Sequence, residues 1–125
     1  MVLNNNKLIL FYGLSAEDKT FLQQVISENS LPACKEIERD MARMKLKDII
    51  AGLKFEIYTE VLPEEKIILF NNLSDEELDK AIKSIKKNQD MKPILAVITP
   101  TSIDWEFKYL LEHLIEEREW HLRNK

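Results

Sequence analysis

Hydrophobic positions along the chain fall into two rhythms. Three short blocks are continuously apolar, Leu8–Tyr12, Ile67–Phe70 and Ile94–Ile98, and each gives way to turn residues or proline. Such blocks predict strands buried on both faces, the habit of a helix-covered parallel sheet. Between them the apolar residues recur every three or four positions: Phe21, Leu22, Val25 and Ile26; Leu78, Ala81, Ile82 and Ile85; Phe107, Leu110, Leu111 and Leu114. These predict amphipathic helices that turn one stripe to the sheet. Two helix starts are marked as well, because Ser15 precedes Asp18 by three residues and Ser74 precedes Glu77 by three, the spacing of a capping box. After Pro93 the strand runs to Thr99, which Pro100 holds extended, and Thr101, Ser102 or Asp104 caps a long closing helix that reaches about Leu122.

The second half of this pattern repeats the first. Lys7, Leu10, Phe11, Leu14 and Ser15 recur 59 positions later as Lys66, Leu69, Phe70, Leu73 and Ser74. Leu22 and Val25 recur 60 positions later as Ile82 and Ile85. Pro32, Ile37, Met44, Leu46, Ile49, Ile50 and Leu53 recur 61 positions later as Pro93, Ile98, Trp105, Phe107, Leu110, Leu111 and Leu114. Two single-residue shifts reconcile the offsets, so the chain reads as a tandem of strand-helix-strand-helix units over about 7–53 and 66–122, with a linker over about 54–65. The repeat decides the stretch Pro32 to Leu53, which taken alone reads equally well as one helix with proline in its first turn. Its counterpart holds a strand. The expectation is therefore a short, polar edge strand at about Ala33–Ile37, a turn around Arg39–Ala42, and a helix over about Met44–Ala51 ended by Gly52. In the linker Phe55, Ile57, Thr59 and Val61 alternate before Pro63, which suggests an extended segment and a further edge strand.

Alternating strands and helices predict an α/β fold, here a small three-layer single domain with a four-stranded, mainly parallel sheet. Two equal halves about a pseudo-twofold axis give the strand order 2-1-3-4, with the axis between strands one and three. In a parallel sheet the ligand crevice opens at the carboxyl ends of the strands where the order reverses. The loops of both halves would then gather along one rim, bringing Gly13 and Ser15 together with Asn71, Asn72 and Ser74. Two helix amino termini there favour an anion. Yet the chain has only two glycines, Gly13 and Gly52, which excludes a glycine-rich nucleotide or phosphate loop, and capping already accounts for both serines. The turn after the last strand is a second candidate, with hydroxyls on Thr99, Thr101 and Ser102, a carboxylate on Asp104 and the flat ring of Trp105.

Charge and composition narrow the function classes. A net charge of −4 argues against a nucleic-acid binder, and the lysines at 83, 86, 87 and 92 read as a solvated helix end. The start of the chain lacks a secretory or spanning segment, so no membrane association is expected and the location is expected to be cytoplasmic. Cys34, the one cysteine, allows neither an internal disulfide nor a multi-thiol metal site and reads as a packing residue suited to a reducing compartment. His113, Glu117 and His121 share a helical stripe, but eight residues separate the histidines by roughly 12 Å, too far for one zinc ion. No metal and no cofactor is expected. No serine lies in a nucleophile elbow and no histidine lies beside a hydroxyl at a strand end, so the sequence shows no evident catalytic machinery and leans away from an enzyme.

The strand ending Thr99-Pro100-Thr101, Trp105 a few residues later, and the leucine-rich acidic helix carrying Leu110, Leu111 and Glu117 resemble an uncharacterised family of small bacterial and archaeal domains of unknown function. The resemblance covers the second half well and extends toward the strand at Ile67 and the capping box at Ser74. The family pattern has asparagine where Ser102 stands. The resemblance implies no activity. A second stripe on the closing helix, Tyr109, His113, Glu116 and Trp120, lies off the core-facing one and has the aromatic character of an interface, either with a second copy or with another protein. Two function classes follow: a noncatalytic binding or interaction module, and, as the alternative, an anionic-ligand domain or enzyme working through the strand-end loops.

Overall fold

The structure is a computed structural model and describes residues 7–53 and 62–123. Four strands, β1 (Leu8–Tyr12), β2 (Cys34–Glu36), β3 (Ile67–Asn71) and β4 (Ile94–Val97), form one sheet in the order β2-β1-β3-β4. Four helices, α1 (Ala16–Asn29), α2 (Leu46–Ile50), α3 (Asp75–Lys86) and α4 (Phe107–Arg123), alternate with them, and single turns of 3-10 helix, Arg39–Met41 and Ser102–Asp104, precede α2 and α4. Pro32–Leu53 is thus a strand, a turn and a short helix, as the repeat requires. Gly52, with φ of +85°, follows α2.

Alternation along the central strands explains the three layers. Ile9 and Phe11 of β1 and Ile68 and Phe70 of β3 face α1 and α3, meeting Leu22, Val25, Ala81 and Ile85. Leu10, Tyr12, Ile67 and Leu69 face the opposite way, onto Met44, Leu46, Ile49, Phe107 and Leu111 of the α2–α4 layer. Both faces of the two central strands are covered, so their apolar runs are continuous. The last strand departs from expectation. Its run of Ile94 to Ile98 predicts burial on both faces, but β4 is an edge strand and Val97 is 48% exposed. The fully enclosed strand is β3, with every residue buried.

Strand direction corrects the expected rim. β1 runs parallel to β2 and β3 parallel to β4, but β1 and β3 are antiparallel. The carboxyl ends of β1 and β2 therefore lie at one end of the sheet and those of β3 and β4 at the other. The physical reason is the symmetry itself. A twofold axis normal to the sheet that yields the order 2-1-3-4 also reverses strand direction across the centre.

The pairings locate that axis. Leu10 pairs with Leu69, its own counterpart 59 positions on. In the helical layer a single antiparallel bridge joins Lys45 to Glu106, counterparts at 61. Around it Leu46 N–H donates to the Trp105 carbonyl at 2.9 Å and Phe107 N–H to the Met44 carbonyl at 3.0 Å, the same bond made once in each direction. Further out, Ile37 N–H donates to Phe11 and Ile98 N–H to Phe70, again equivalent. The proposed linker strand falls on residues 54–61, which lie outside the described residues.

Candidate functional site

The first candidate rim is built by the turn after β1. Ser15 caps α1, its hydroxyl accepting from Asp18 N–H while the Asp18 carboxylate accepts from Ser15 N–H, both at 3.1 Å. Asp18 is buried and also receives the Lys66 ammonium at 2.7 Å. Burial pulls its carboxyl pKa up, but Lys66 and the Ser15 hydrogen bonds outweigh burial and hold it below the ordinary value. Gly13, at φ +80°, lets the chain pass against the segment before β3; a Cβ there would lie 2.0 Å from the Glu65 carbonyl oxygen. Two adjoining depressions of about 350 and 270 Å³ flank this contact. They are lined by Tyr12, Gly13 and Arg39 in common, with Glu64, Glu65 and Lys66 on one side and Glu36 and Glu38 on the other. Carboxylates outnumber cations in this lining, which disfavours the anion that a helix amino terminus would attract. Arg39, absent from the sequence-derived candidates, carried no signal beyond its place in a predicted turn.

The remaining loop candidates lie at the opposite end. Leu8 pairs with Asn71, so Asn71, Asn72 and Ser74 sit beside the start of β1, away from Gly13 and Ser15. Asn71 is buried and Asn72 has φ of 62°. Ser74 caps α3: its hydroxyl accepts from Glu77 N–H at 3.1 Å, and the Glu77 carboxylate accepts from Ser74 N–H at 2.8 Å. That carboxylate is held below its ordinary range by the Ser74 backbone bond first and by Lys7 second. The turn after β4 shares this end of the sheet. There Thr99 and Ser102 satisfy each other: Thr99 N–H donates to the buried Ser102 hydroxyl at 2.9 Å, and Ser102 N–H donates to the Thr99 hydroxyl at 3.0 Å. Ser102 therefore closes its own turn and does not cap α4. Thr101 is exposed, and Asp104 reaches Lys47 of α2 at 3.3 Å. These hydroxyls serve the turn.

Trp105 turns away from that loop and joins α4. Its ring meets Tyr109 edge-on at 4.8 Å and His113 edge-on at 5.4 Å, while Tyr109 and His113 stack nearly parallel at 6.3 Å. The sequence placed Trp105 with the ligand candidates and Tyr109 with the interface candidates; the structure unites them in one ring cluster. Tyr109 and His113 are neighbours because they lie four apart on α4, and Trp105, in extended backbone just before the helix, reaches both. Glu117 approaches the His113 imidazole at 3.5 Å. Tyr109 and Trp120 are each 55% exposed, Glu116 is exposed, and His121 lies edge-on to Trp120 at 5.3 Å. All of residues 119–123 are exposed, including Leu122 at 62%, so α4 overhangs the body. Arg118 ties it back through a two-pronged bond to Glu65 at 2.8 and 2.6 Å, which holds the Glu65 pKa down.

A third depression of about 590 Å³ lies between α3 and β4, lined by Lys86, Asn88, Gln89, Lys92, Pro93 and Leu95 among others. Cys34 is partly buried in β2, and burial pushes its thiol pKa up, away from the reactive thiolate. Among the described residues no group of three or more His, Cys, Asp or Glu is placed to hold a metal ion, and no helix is long and apolar enough to cross a membrane.

Residues 66–120 match the family model described as Domain of unknown function (DUF3783). The match is thus to an uncharacterised family, as the resemblance of the second half implied. The DUF3783 match begins at the residue before β3 and ends within α4, so it spans one of the two strand-helix-strand-helix units. No curated protein and no solved structure shows significant similarity to the chain.

Proposed function

We propose that this protein is a small noncatalytic interaction module whose contact surface is the outward face of α4. The carrying observation is the pair of exposed rings Tyr109 and Trp120 on the side of the helix opposite buried Phe107 and Leu111, with Tyr109 braced by the rings of Trp105 and His113. Exposed aromatic rings in a row supply large contact area with few rotatable bonds, the character of an interface anchor. Tyr109, His113, Glu116 and Trp120 are the contact residues on this reading. The alternative, an anion-binding domain or enzyme, loses its main support because the Gly13–Ser15 loop lies at the opposite end of the sheet from the loops after β3 and β4, and the Gly13 depressions are rich in carboxylates. The single thiol of Cys34 favours a cytoplasmic setting.

The test is site-specific photocrosslinking in the cell, with a photoreactive side chain placed at Tyr109 and, as a control, at Glu17 on the far layer. A discrete adduct from position 109 that Trp120→Ala abolishes is the expected result. No adduct, or equal adducts from both positions, refutes the reading.

A further inference from the structure

We infer that the outward face of α4 takes a basic, arginine-bearing helix of another protein. The inference rests on the interaction-module reading and names the partner's chemistry. Between Tyr109 and Trp120 the chain carries four glutamates, at 112, 116, 117 and 119, against one cation, Arg118. That arginine is engaged by Glu65 of the body. Glu112, Glu116 and Glu119 are exposed, and helical spacing puts them on one flank of the line from Tyr109 to Trp120. The nearest cations leave this flank acidic, since Lys108 comes only to 3.8 Å from Glu112 and Arg123 lies beyond Trp120. On the other flank Glu117 stands 3.5 Å from the His113 imidazole.

Carboxylates beside two exposed rings select among occupants. A second copy would bring the same glutamates to the seam, and like charges across an interface oppose binding. Nucleic acid and an anionic lipid surface are disfavoured for the same reason. A guanidinium is favoured on both counts: it donates paired hydrogen bonds to a carboxylate, and it stacks on the face of a tyrosine or tryptophan ring. Both rings, Tyr109 and Trp120, are 55% exposed and open to such stacking. The form of the partner follows from the backbone. The N–H and C=O groups inside α4 are bonded within the helix, so an extended peptide has no main-chain groups to pair with. A helix lying alongside needs side chains alone. From Tyr109 to Trp120 is eleven residues, roughly 16 Å along the axis, and the exposed end at 119–123 keeps that part of the ridge clear of the body.

The probe is a fluorescent alanine-based peptide of about 18 residues, long enough to be helical, with arginines and leucines along one face. Two companions carry glutamate in place of arginine, or prolines that break the helix. Fluorescence anisotropy reads their binding to the full chain at low and high salt, with circular dichroism confirming that each variant is folded. The arginine peptide is expected to bind at least about tenfold more tightly than either companion. Glu112→Gln, Glu116→Gln and Glu119→Gln together weaken it about three- to tenfold and flatten its salt dependence, and Trp120→Ala weakens it about fivefold. Glu17→Gln with Glu28→Gln, on exposed positions of α1, leaves it unchanged. An arginine peptide no tighter than the glutamate one, or indifferent to the triple variant, overturns the basic partner. A proline-broken peptide that binds equally well overturns its helical form. Photocrosslinking from position 109 separates this inference from the reading beneath it. An adduct that Trp120→Ala abolishes but the triple variant leaves intact, or one between two copies of this chain, overturns the basic partner alone. Absence of any adduct overturns the module reading too.

Discussion

A single added methyl group at Gly13 probes the joint between the halves, and Gly52 provides the matched control. Both glycines have positive φ, +80° and +85°, so alanine at either incurs the strain of a left-handed residue, roughly 1–2 kcal/mol. Both substitutions also reduce the freedom of the unfolded chain by the same amount, which cancels between them. The surroundings differ. Nothing lies within 4 Å of a Cβ at Gly52, whereas at Gly13 the Glu65 carbonyl oxygen would lie 2.0 Å away. A comfortable carbon–oxygen contact is about 3.3 Å, so the turn after β1 and the segment before β3 must separate by about an ångström. Overpacking of that kind costs about 1–3 kcal/mol more. Gly13→Ala is therefore expected to destabilise by about 2–5 kcal/mol and Gly52→Ala by about 1–2. Urea unfolding followed by far-ultraviolet circular dichroism measures both, and the denaturation midpoints rank them directly. Equal midpoints, or Gly13→Ala the more stable of the two, would refute the close approach at Glu65.

Leu69, fully enclosed and paired with Leu10 at the axis, is expected to lose about 3–5 kcal/mol on change to alanine, while Val97→Lys at the half-open edge stays within about 0.5; thermal melts separate the two. Asp18 has a folded-state pKa below its unfolded value, so its contribution is present above about pH 4 and fades as the pH falls. In Lys66→Met the burial that raises that pKa is unopposed by the ammonium, so the stability gap to wild type, measured by urea titration from pH 7 to 3, must narrow on acidification; a constant gap contradicts the pairing. The Arg118–Glu65 fork joins two partly exposed side chains, and a double-mutant cycle should return a coupling of about 1 kcal/mol or less that shrinks with added salt.

Much of this fold was legible because its signals are local. The capping boxes at Ser15 and Ser74 were visible as a residue pair three apart, and both form as expected. The weak strand over Cys34–Glu36 was legible only through its counterpart, since its own side chains alternate no more clearly than a helix would. Direction was another matter. Side-chain period tells which residues face a core but not which way the next strand runs, so the antiparallel pairing of β1 with β3 had no local signature. It follows instead from α1 and α3 covering the same face, because the twofold is then normal to the sheet and reverses strand direction across the centre. Of the candidate site, the loops were identified one by one, but their grouping depended on that direction and failed with it. That Tyr109, His113, Glu116 and Trp120 share one helix face was legible because i, i+4 neighbours on a helix need no tertiary information.

The axis through Leu10 and Leu69 also separates the chain's contacts by reach. Within each half the paired strands are 25 or 27 residues apart, as from Ile9 to Cys34 or Ile67 to Ile94, whereas the central ladder joins positions 55 to 63 apart. Closing the longer span first costs more chain entropy than closing the shorter ones, so each half has reason to assemble before the two dock. Side chains along the midline would then lock late, and their loss would hasten unfolding far more than it slows refolding.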